Sequence, residues 1–303
     1  MTPLAALVLD WAVTALWPLI GAYGMAHYSG ALFATGGLVI GLAVMSPWLL
    51  AQGRWRKILS REVAPSLAIM GLCSGAATII YISALAHTTP ANAAIVAQVE
   101  VLYSAALTAW LLGERPSLKL ALAALLVMSG TALVMLHDLS SPRWKGDLMI
   151  LCTPWLYQVS HIFAKRLPRD LDAVTLSGGR VFYGILTMAP VCLWSLYHGA
   201  RWSWSAEALG FLVLQGLLMS SLNFVLWYMA IRNMDLSKAT TFMLSYPALT
   251  LLFSWALGRD AIEGVQIIGL SCSFIGAVWT ARLTQEARVH AAEAPPPSVL
   301  TAK

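Results

Sequence analysis

Long apolar runs follow one another along the whole chain, separated by short polar connections. A helix needs about 17–25 predominantly apolar residues to cross the hydrocarbon core of a bilayer. Ten segments meet this requirement, and their limits are 4–24, 31–51, 63–85, 90–112, 118–137, 147–165, 174–197, 206–230, 236–257 and 262–282. The pattern therefore predicts an all-α membrane protein with ten transmembrane helices.

The composition supports this prediction. Of the 303 residues, 59% are hydrophobic and only 11% are charged, whereas a soluble domain has about 25% charged residues. The net charge of +5 does not indicate nucleic-acid binding, because the basic residues lie in short loops and form no stripe. The expected partners are the lipid bilayer and a small-molecule substrate. No metal-ligand spacing involves the four cysteines, so neither a metal nor a cofactor is expected.

Lysine and arginine are distributed unequally between the two sides of the predicted membrane. Counting loops alternately places fourteen of them on one side and four on the other, with Arg180 inside the seventh segment. Basic loops remain in the cytoplasm, which predicts cytoplasmic N- and C-termini. The polar residues 284–303 are predicted to form a disordered cytoplasmic tail.

The chain also contains a weak internal repeat. Residues 81–133 align with 227–279, so that Ala84 falls on Ala230 and Gly130 on Gly276. The predicted halves are residues 1–140 and 141–283, with five helices each. Because five is odd, the two halves must cross the membrane in opposite directions. Inverted repeats are typical of secondary transporters, which bind solutes near the midplane between the halves.

Glu100 is the only acid near the midpoint of a predicted segment. Carboxylates at that depth usually face a bundle interior or a water-filled cavity. Glu100 is therefore a candidate for binding a substrate amine or a coupling proton. It could equally be protonated and simply hydrogen-bond a neighbouring helix. Tyr103 lies on the same helical face.

Other polar and aromatic residues share helical faces. Gln215, Met219, Asn223 and Trp227 follow at four-residue intervals, and such a stripe should face other helices or a cavity. Tyr81, Gln158, Trp17 and Trp155 are further candidates, the two tryptophans because each lies beside a proline deep in a segment; core packing explains either tryptophan equally well. Arg180 and His161 lie near the predicted cytoplasmic surface, where snorkelling or a structural role is expected.

Several of these motifs resemble those of a known superfamily. The stretch from Tyr81 to Leu85, then Glu100, Leu111-Leu112-Gly113-Glu114-Arg115 and Gly130, is similar to the drug/metabolite transporter superfamily. The nearest branch is the ten-helix EamA-like exporters, and the many Trp and Tyr residues look most like the bacterial aromatic amino acid exporters. The chain departs from the family pattern at Val101, where a proline is usual, and at Tyr246, where the second-half acid is usual.

The resemblance implies a ten-helix basket around a central cavity that opens alternately to each side of a bacterial inner membrane, with helices five and ten at the periphery. It implies export of small hydrophobic or aromatic amino acids and related metabolites, with protons as a candidate coupling ion. Export of drugs or other metabolites is the alternative within this fold, and an intramembrane enzyme is the alternative from another class. No catalytic residue is predicted. The predicted substrate-binding residues are Trp17, Tyr81, Glu100, Tyr103, Trp155, Gln158, Asn223 and Tyr246.

Overall fold

The computed structural model describes residues 1–84, 87, 96–97, 99–111, 117–134, 144–258 and 264–293. Within these residues ten helical runs follow one another, here named spans 1 to 10. In the first half they are span 1 (Pro3–Thr14 and Trp17–His27), span 2 (Gly30–Ala51), span 3 (Ala64–Ala84), span 4 (Glu100–Leu111) and span 5 (Leu118–Val134). In the second half they are span 6 (Trp144–Leu151 and Thr153–Arg166), span 7 (Ala173–Tyr197), span 8 (Ala206–Leu214, Gln215–Asn223 and Phe224–Ile231), span 9 (Leu236–Met243 and Tyr246–Ala256) and span 10 (Gly264–Glu293).

Each predicted segment thus corresponds to one helical run, which confirms the all-α, ten-helix prediction. By length and hydropathy, five described stretches are sufficient to cross a bilayer on their own: Pro3–His27, Gly30–Ala51, Ala64–Ala84, Ala173–Tyr197 and Ala206–Ile231. One additional short helix, Trp55–Ile58, lies in the connection between spans 2 and 3. The motifs Leu112-Gly113-Glu114-Arg115 and Arg259-Asp260, and residues 294–303, lie outside the described residues.

Span 10 is longer than the sequence predicts. The helix continues to Glu293, although the hydrophobic pattern ends near residue 283. Residues 284–293 are rich in Ala, Glu, Gln and Arg, which favour helix without any need for burial. The helix therefore extends about ten residues beyond the end of the hydrophobic pattern.

Polar side chains cap the first turns of spans 1, 7 and 8. Thr2 Oγ1 accepts a hydrogen bond from Ala5 N at 3.2 Å, and Ser205 Oγ accepts one from Ala208 N at 3.1 Å. Asp172 Oδ1 accepts one from Thr175 N at 2.9 Å at the start of span 7. Each cap satisfies a backbone donor that has no partner within its helix, so these residues determine where spans 1, 8 and 7 begin.

The contact between spans 5 and 10 shows that the two halves are related by an approximate two-fold axis. A β-carbon placed on Gly130 would lie 2.5 Å from Ser273 N and 2.6 Å from Gly269 O. A β-carbon on Gly276 would lie 2.5 Å from Val127 and 3.1 Å from Ala123 O. Residues 269, 273 and 276 each lie 146 positions after 123, 127 and 130, the same separation as in the Ser273–Val127 hydrogen bond. The offset of 146 residues that aligns the sequence repeat therefore also relates the residues that meet between spans 5 and 10.

Close backbone approaches also connect span 7 to the first half. Gly71 packs against the backbone of Gly184, and Gly179 packs against Leu67. In a membrane, where apolar burial gives little net drive, small residues allow the van der Waals contact that holds helices together. This packing places the middle of span 7 inside the protein.

Charged and polar connections form two separate faces. On one face, Lys57 in the connection after span 2 pairs with Asp170 in the connection after span 6, and that hydrogen bond holds the pKa of the Asp170 carboxyl below its usual value. Arg54 pairs with Asp172 at 3.4 Å beside them. On the other face, Tyr28 Oη donates to Ser203 O at 2.9 Å. The loops that the charge count assigns to one side therefore do meet on one face.

Candidate functional site

A cavity of about 200 Å³ lies between the two halves. Its walls come from spans 1, 2, 3 and 4 of the first half and from spans 6, 7, 8 and 9 of the second. Described residues of spans 5 and 10 do not contribute, since these spans pack against each other away from the cavity. The peripheral position that the resemblance implied for helices five and ten is thus observed.

Three spans are interrupted at the level of the cavity, and the described helix of span 4 begins at the same level. In spans 1, 4, 6 and 9 a helix starts there, and the first residues of these helices, Trp17, Glu100, Thr153 and Tyr246, all line the cavity. Pro18, Pro154 and Pro247 occupy the second position of three of these helices, where the missing N–H of proline costs nothing. Glu100 and Tyr246 are 146 residues apart, so these two helices begin at the same repeat position.

The structure brings most of the predicted residues together. Trp17, Tyr81, Glu100, Asn223 and Tyr246 line the cavity. Gln158 lies directly behind Glu100 and is completely buried.

The two remaining predicted residues lie elsewhere. Tyr103 is half-buried and is not part of the cavity wall. Trp155 is 45% exposed on the outside of the bundle, although Pro154 beside it lines the cavity. Adjacent residues of a helix point about 100° apart. Their position beside the interruption therefore does not determine whether Pro154 or Trp155 faces the cavity.

Aromatic rings form one wall of the cavity. Trp17 and Tyr81 stack with their ring centroids 4.9 Å apart and an interplanar angle of 25°. The hydroxyls of Tyr81 and Tyr246 lie close to each other. Because Trp17 and Tyr81 belong to the first half and Tyr246 to the second, this wall connects the repeats.

Two carboxylates are each held by an amide from another span. Gln158 Nε2 donates to Glu100 Oε1 at 2.7 Å and is 3.4 Å from Thr240 Oγ1. Asn223 Nδ2 donates to Asp10 Oδ1 at 2.8 Å and to Thr14 Oγ1 at 2.7 Å. The cavity therefore contains two acids, both with amide partners.

Asp10 is a second acid at the cavity that the sequence-based prediction does not single out. It is 1% exposed and lines the cavity. The signal that singles out Glu100, an acid inside an apolar run, is also present at Asp10. The prediction missed it because Asp10 lies only seven positions into the first segment, so it was not recognised as a midpoint residue.

Arg180 does not snorkel to the surface, contrary to expectation. It is 3% exposed and lines the cavity. Nη1 donates to Tyr228 Oη at 3.1 Å, and the guanidinium carbon lies 3.9 Å from the centroid of the Phe224 ring. Snorkelling needs a lipid-facing path, but the neighbouring Gly179 packs closely on span 3, and Arg180 itself faces span 8.

His161 is also a cavity residue rather than an interfacial one. It is 7% exposed, and its Nδ1 accepts a hydrogen bond from Trp227 Nε1 at 3.0 Å. Since Nδ1 accepts that bond, any proton on the neutral ring belongs on Nε2. Among the described residues, no three His, Cys, Asp or Glu side chains come together as a metal site would require.

The polar stripe of span 8 faces the cavity as predicted. Gln215, Met219, Asn223 and Trp227 all line it. The helix from Gln215 to Asn223 is a π-helix, a form that often occurs at functional sites. Because its hydrogen bonds span five residues instead of four, its turn is wider than that of an α-helix. In this wider turn, side chains four residues apart point in more nearly the same direction than they do in an α-helix.

The comparisons with known proteins agree with this architecture. The EamA-like transporter family model matches residues 2–136 and 144–282, one match in each half. An uncharacterized transporter of Archaeoglobus fulgidus is 24% identical over 285 residues, which are 91% of this chain and 95% of that protein. The uncharacterized transporter YoaV of Bacillus subtilis is 22% identical over 125 residues, or 41% of this chain and 42% of that protein.

A solved crystal structure has the same fold. It superposes with a TM-score of 0.79 at 19% sequence identity and covers 93% of this chain and 98% of that one. The superposition extends over both halves, so their arrangement around the central cavity is the arrangement of the fold as a whole.

Proposed function

Because the chain belongs to the EamA-like transporter family, a family of membrane transporters, we propose that it exports small hydrophobic or aromatic amino acids and related metabolites from the cytoplasm by alternating access. The proposed location is the inner membrane of a bacterium, with both termini in the cytoplasm. Neither the substrate nor the direction of transport follows from the family alone. The cavity supports the substrate class, and the basic loops support the orientation.

The observation that carries the substrate proposal is an aromatic wall beside hydrogen-bond acceptors in the cavity between the halves. The Trp17–Tyr81 stack offers ring faces to a flat hydrophobic side chain. Asp10 and Glu100 supply carboxylate oxygens, and the buried Oε1 of Gln215 has no hydrogen-bond partner. These acceptors suit the ammonium group of an amino acid.

Cavity size favours an amino acid over a large drug. Pockets for drug-sized ligands measure about 300–1,000 Å³, whereas this cavity measures about 200 Å³. A second candidate function, export of cationic drugs, is favoured by the two acids alone. It is disfavoured by the size and by the presence of Arg180 in the same cavity.

The inverted halves and their interrupted helices support the proposal of alternating access. Two states that are related by exchanging the conformations of the halves would open the same site to opposite sides. The interruptions in spans 1, 6 and 9 meet at the cavity, which provides hinges beside the bound solute.

Flux into proteoliposomes containing only this protein tests the proposal. Radiolabelled phenylalanine, tryptophan and tyrosine should accumulate faster than in protein-free vesicles, and unlabelled leucine should compete. The same vesicles should show little flux of a bulky cationic dye. Clear dye flux with no amino acid flux would reassign the chain to drug export.

A further inference from the structure

Arg180 is a buried cation without an anionic partner. Its guanidinium is 3% exposed, and among the described residues no carboxylate lies within ion-pair distance of it. Its Nε has no hydrogen-bond partner. A buried and unpaired charge is costly, so an arginine retained in this position needs an anion that arrives from outside the chain.

The surroundings of Arg180 position the guanidinium without neutralising it. Tyr228 Oη accepts from Nη1, and the Phe224 ring lies beneath the guanidinium plane. Both contacts orient the planar group while leaving Nε and the remaining Nη protons available. A guanidinium presents such protons as a fork that matches the two oxygens of a carboxylate.

Two of the amides that could otherwise bind a carboxylate are already engaged. Gln158 Nε2 donates to Glu100, and Asn223 Nδ2 donates to Asp10 and Thr14. A substrate carboxylate would have to displace an acid of the protein to reach either amide, and it would then lie beside that acid. Among the described lining residues, Arg180 is the donor that combines an unused N–H with a positive charge.

The helix interruptions add a second, independent contribution. The helices that begin at Trp17, Glu100, Thr153 and Tyr246 have 11, 12, 14 and 11 residues, and their first residues line the cavity. The N-terminal end of a helix carries a partial positive charge that stabilises anions. These ends lower the cost of bringing an anion into the protein, and the helix C-termini at Thr14 and Met243, which also line the cavity, offset part of that effect.

We infer that Arg180 binds the carboxylate of the transported solute and thereby selects hydrophobic carboxylates and amino acids against amines. This inference deepens the proposed function, because it rests on the same cavity being the substrate site. In this arrangement Asp10, Glu100 and Gln215 accept from the ammonium group, and the Trp17–Tyr81 wall contacts the side chain.

Three ligands that share one indole ring separate the contributions. Tryptophan carries both charged groups, indole-3-propionate only the carboxylate, and tryptamine only the ammonium. Calorimetric titration of the purified full-length protein should give tighter binding of the two carboxylates than of tryptamine. In Arg180→Gln their affinities should fall about 10- to 100-fold, the range for a charged hydrogen bond, and tryptamine binding should change less than about twofold.

Two further variants complete the experiment. Arg180→Lys keeps the charge without the fork and should fall between wild type and Arg180→Gln. Arg56→Gln removes the same charge at an exposed position outside the cavity and should leave all three affinities unchanged. Retained tryptamine binding also shows that Arg180→Gln is folded.

The remaining outcomes are decisive in different ways. If Arg180→Gln and Arg180→Lys both lower the affinities for all three ligands equally, Arg180 is a packing residue. That result would overturn the inference and leave the proposed function intact. Binding of indole-3-propionate without tryptophan would sustain the inference and contradict amino acid export. The inference is wrong if the wild-type protein binds tryptamine more tightly than the two carboxylates. It is also wrong if the wild-type protein binds none of the three indole ligands and none of their aliphatic counterparts, leucine, 4-methylpentanoate and isopentylamine.

Discussion

At the scale of single residues, Glu100 and Asp10 are each hydrogen-bonded by an amide from a different span. Replacing the carboxylate by an amide can therefore separate a role in transport from a role in connecting helices. In Glu100→Gln the bond to Gln158 can be retained by an amide pair, but the negative charge is lost. If Glu100 receives the substrate ammonium or a coupling proton, transport should fall about 10- to 100-fold or lose its dependence on pH. Proteoliposome flux between pH 5 and 8 measures both.

The matched variant for this experiment is Asp10→Asn, which makes the same change in the other carboxylate–amide pair. Normal flux with an unchanged pH profile in Glu100→Gln would show that Glu100 only connects spans 4 and 6. Unequal effects of the two variants would identify which acid contacts the solute.

The two deep tryptophans should behave differently when truncated. Trp17 lines the cavity and stacks on Tyr81, so Trp17→Ala removes part of the aromatic wall and should lower tryptophan flux at least about fivefold. Trp155 is 45% exposed outside the cavity, and Trp155→Ala should change flux less than about twofold. Initial rates normalised to protein content provide the comparison; a larger effect of Trp155 than of Trp17 would contradict the assigned wall.

Sequence reasoning identifies residues by depth along a segment but not by the direction in which they point. Glu100 and Asn223 are polar groups in apolar surroundings, and both line the cavity. Arg180 and Trp155 were misplaced because the direction of a helical side chain depends on which neighbours its helix packs against. That packing depends on contacts such as Gly179 with Leu67, which join residues far apart in sequence.

At the scale of elements, proline has two different effects in this chain. Pro18, Pro154 and Pro247 start new helices at the cavity. Pro190 lies inside the continuous helix Ala173–Tyr197, although a proline within a span can kink its helix in the same way. The four prolines look alike in the sequence, because whether a helix breaks depends on whether neighbouring groups donate a hydrogen bond to the carbonyl that proline leaves unpaired.

The π-helix of span 8 is a further element that the sequence does not reveal. The four-residue spacing of its polar stripe predicts the face correctly for an α-helix, and Gln215 to Asn223 then adopts the wider turn. A contact with span 2 accompanies the change: the backbone of Ser220 would lie 2.9 Å from a β-carbon on Gly41. The turn type is therefore associated with tertiary packing rather than with local propensity.

The reciprocal glycine contact predicts a stability effect. In Gly130→Ala the new methyl group would meet the backbone of Ser273 and Gly269, and overpacking of this kind costs about 1–3 kcal/mol. Gly210→Ala in span 8 is the matched control, because nothing lies within 4 Å of that site; it should be neutral or stabilising by up to about 1 kcal/mol. Thermal melting in one detergent measures both, and equal melting temperatures would contradict the close contact.

At the scale of the whole molecule, the two loop faces give a sidedness test. The face that includes Arg54 and Lys57 carries the basic excess and is proposed to be cytoplasmic. After replacement of the four native cysteines, His87→Cys should react with an impermeant maleimide added to intact cells. Arg56→Cys should react only after permeabilisation. Both positions are exposed, so the reverse pattern would invert the proposed orientation.

The arrangement of the halves can be predicted from the sequence because it depends only on the number of apolar segments. Ten apolar segments, two groups of five and a weak repeat suffice to predict inverted halves around a central site. The residues of that site can be predicted only in part from the sequence. Asp10, His161 and Arg180 line it because of how their helices are rotated about their axes, and the hydrophobic pattern does not determine that rotation.

Protection of a cysteine inside the cavity tests most directly the claim that the solute binds there. Met219 lines the cavity and is 5% exposed, so Met219→Cys in the cysteine-free chain places a thiol beside the proposed site. Phenylalanine at ten times its Kd should slow modification by a small thiol reagent about tenfold, because only the unoccupied fraction reacts, and glycine should slow it much less. Labelling at an unchanged rate, in a variant that still transports phenylalanine, would place the transport path outside this cavity.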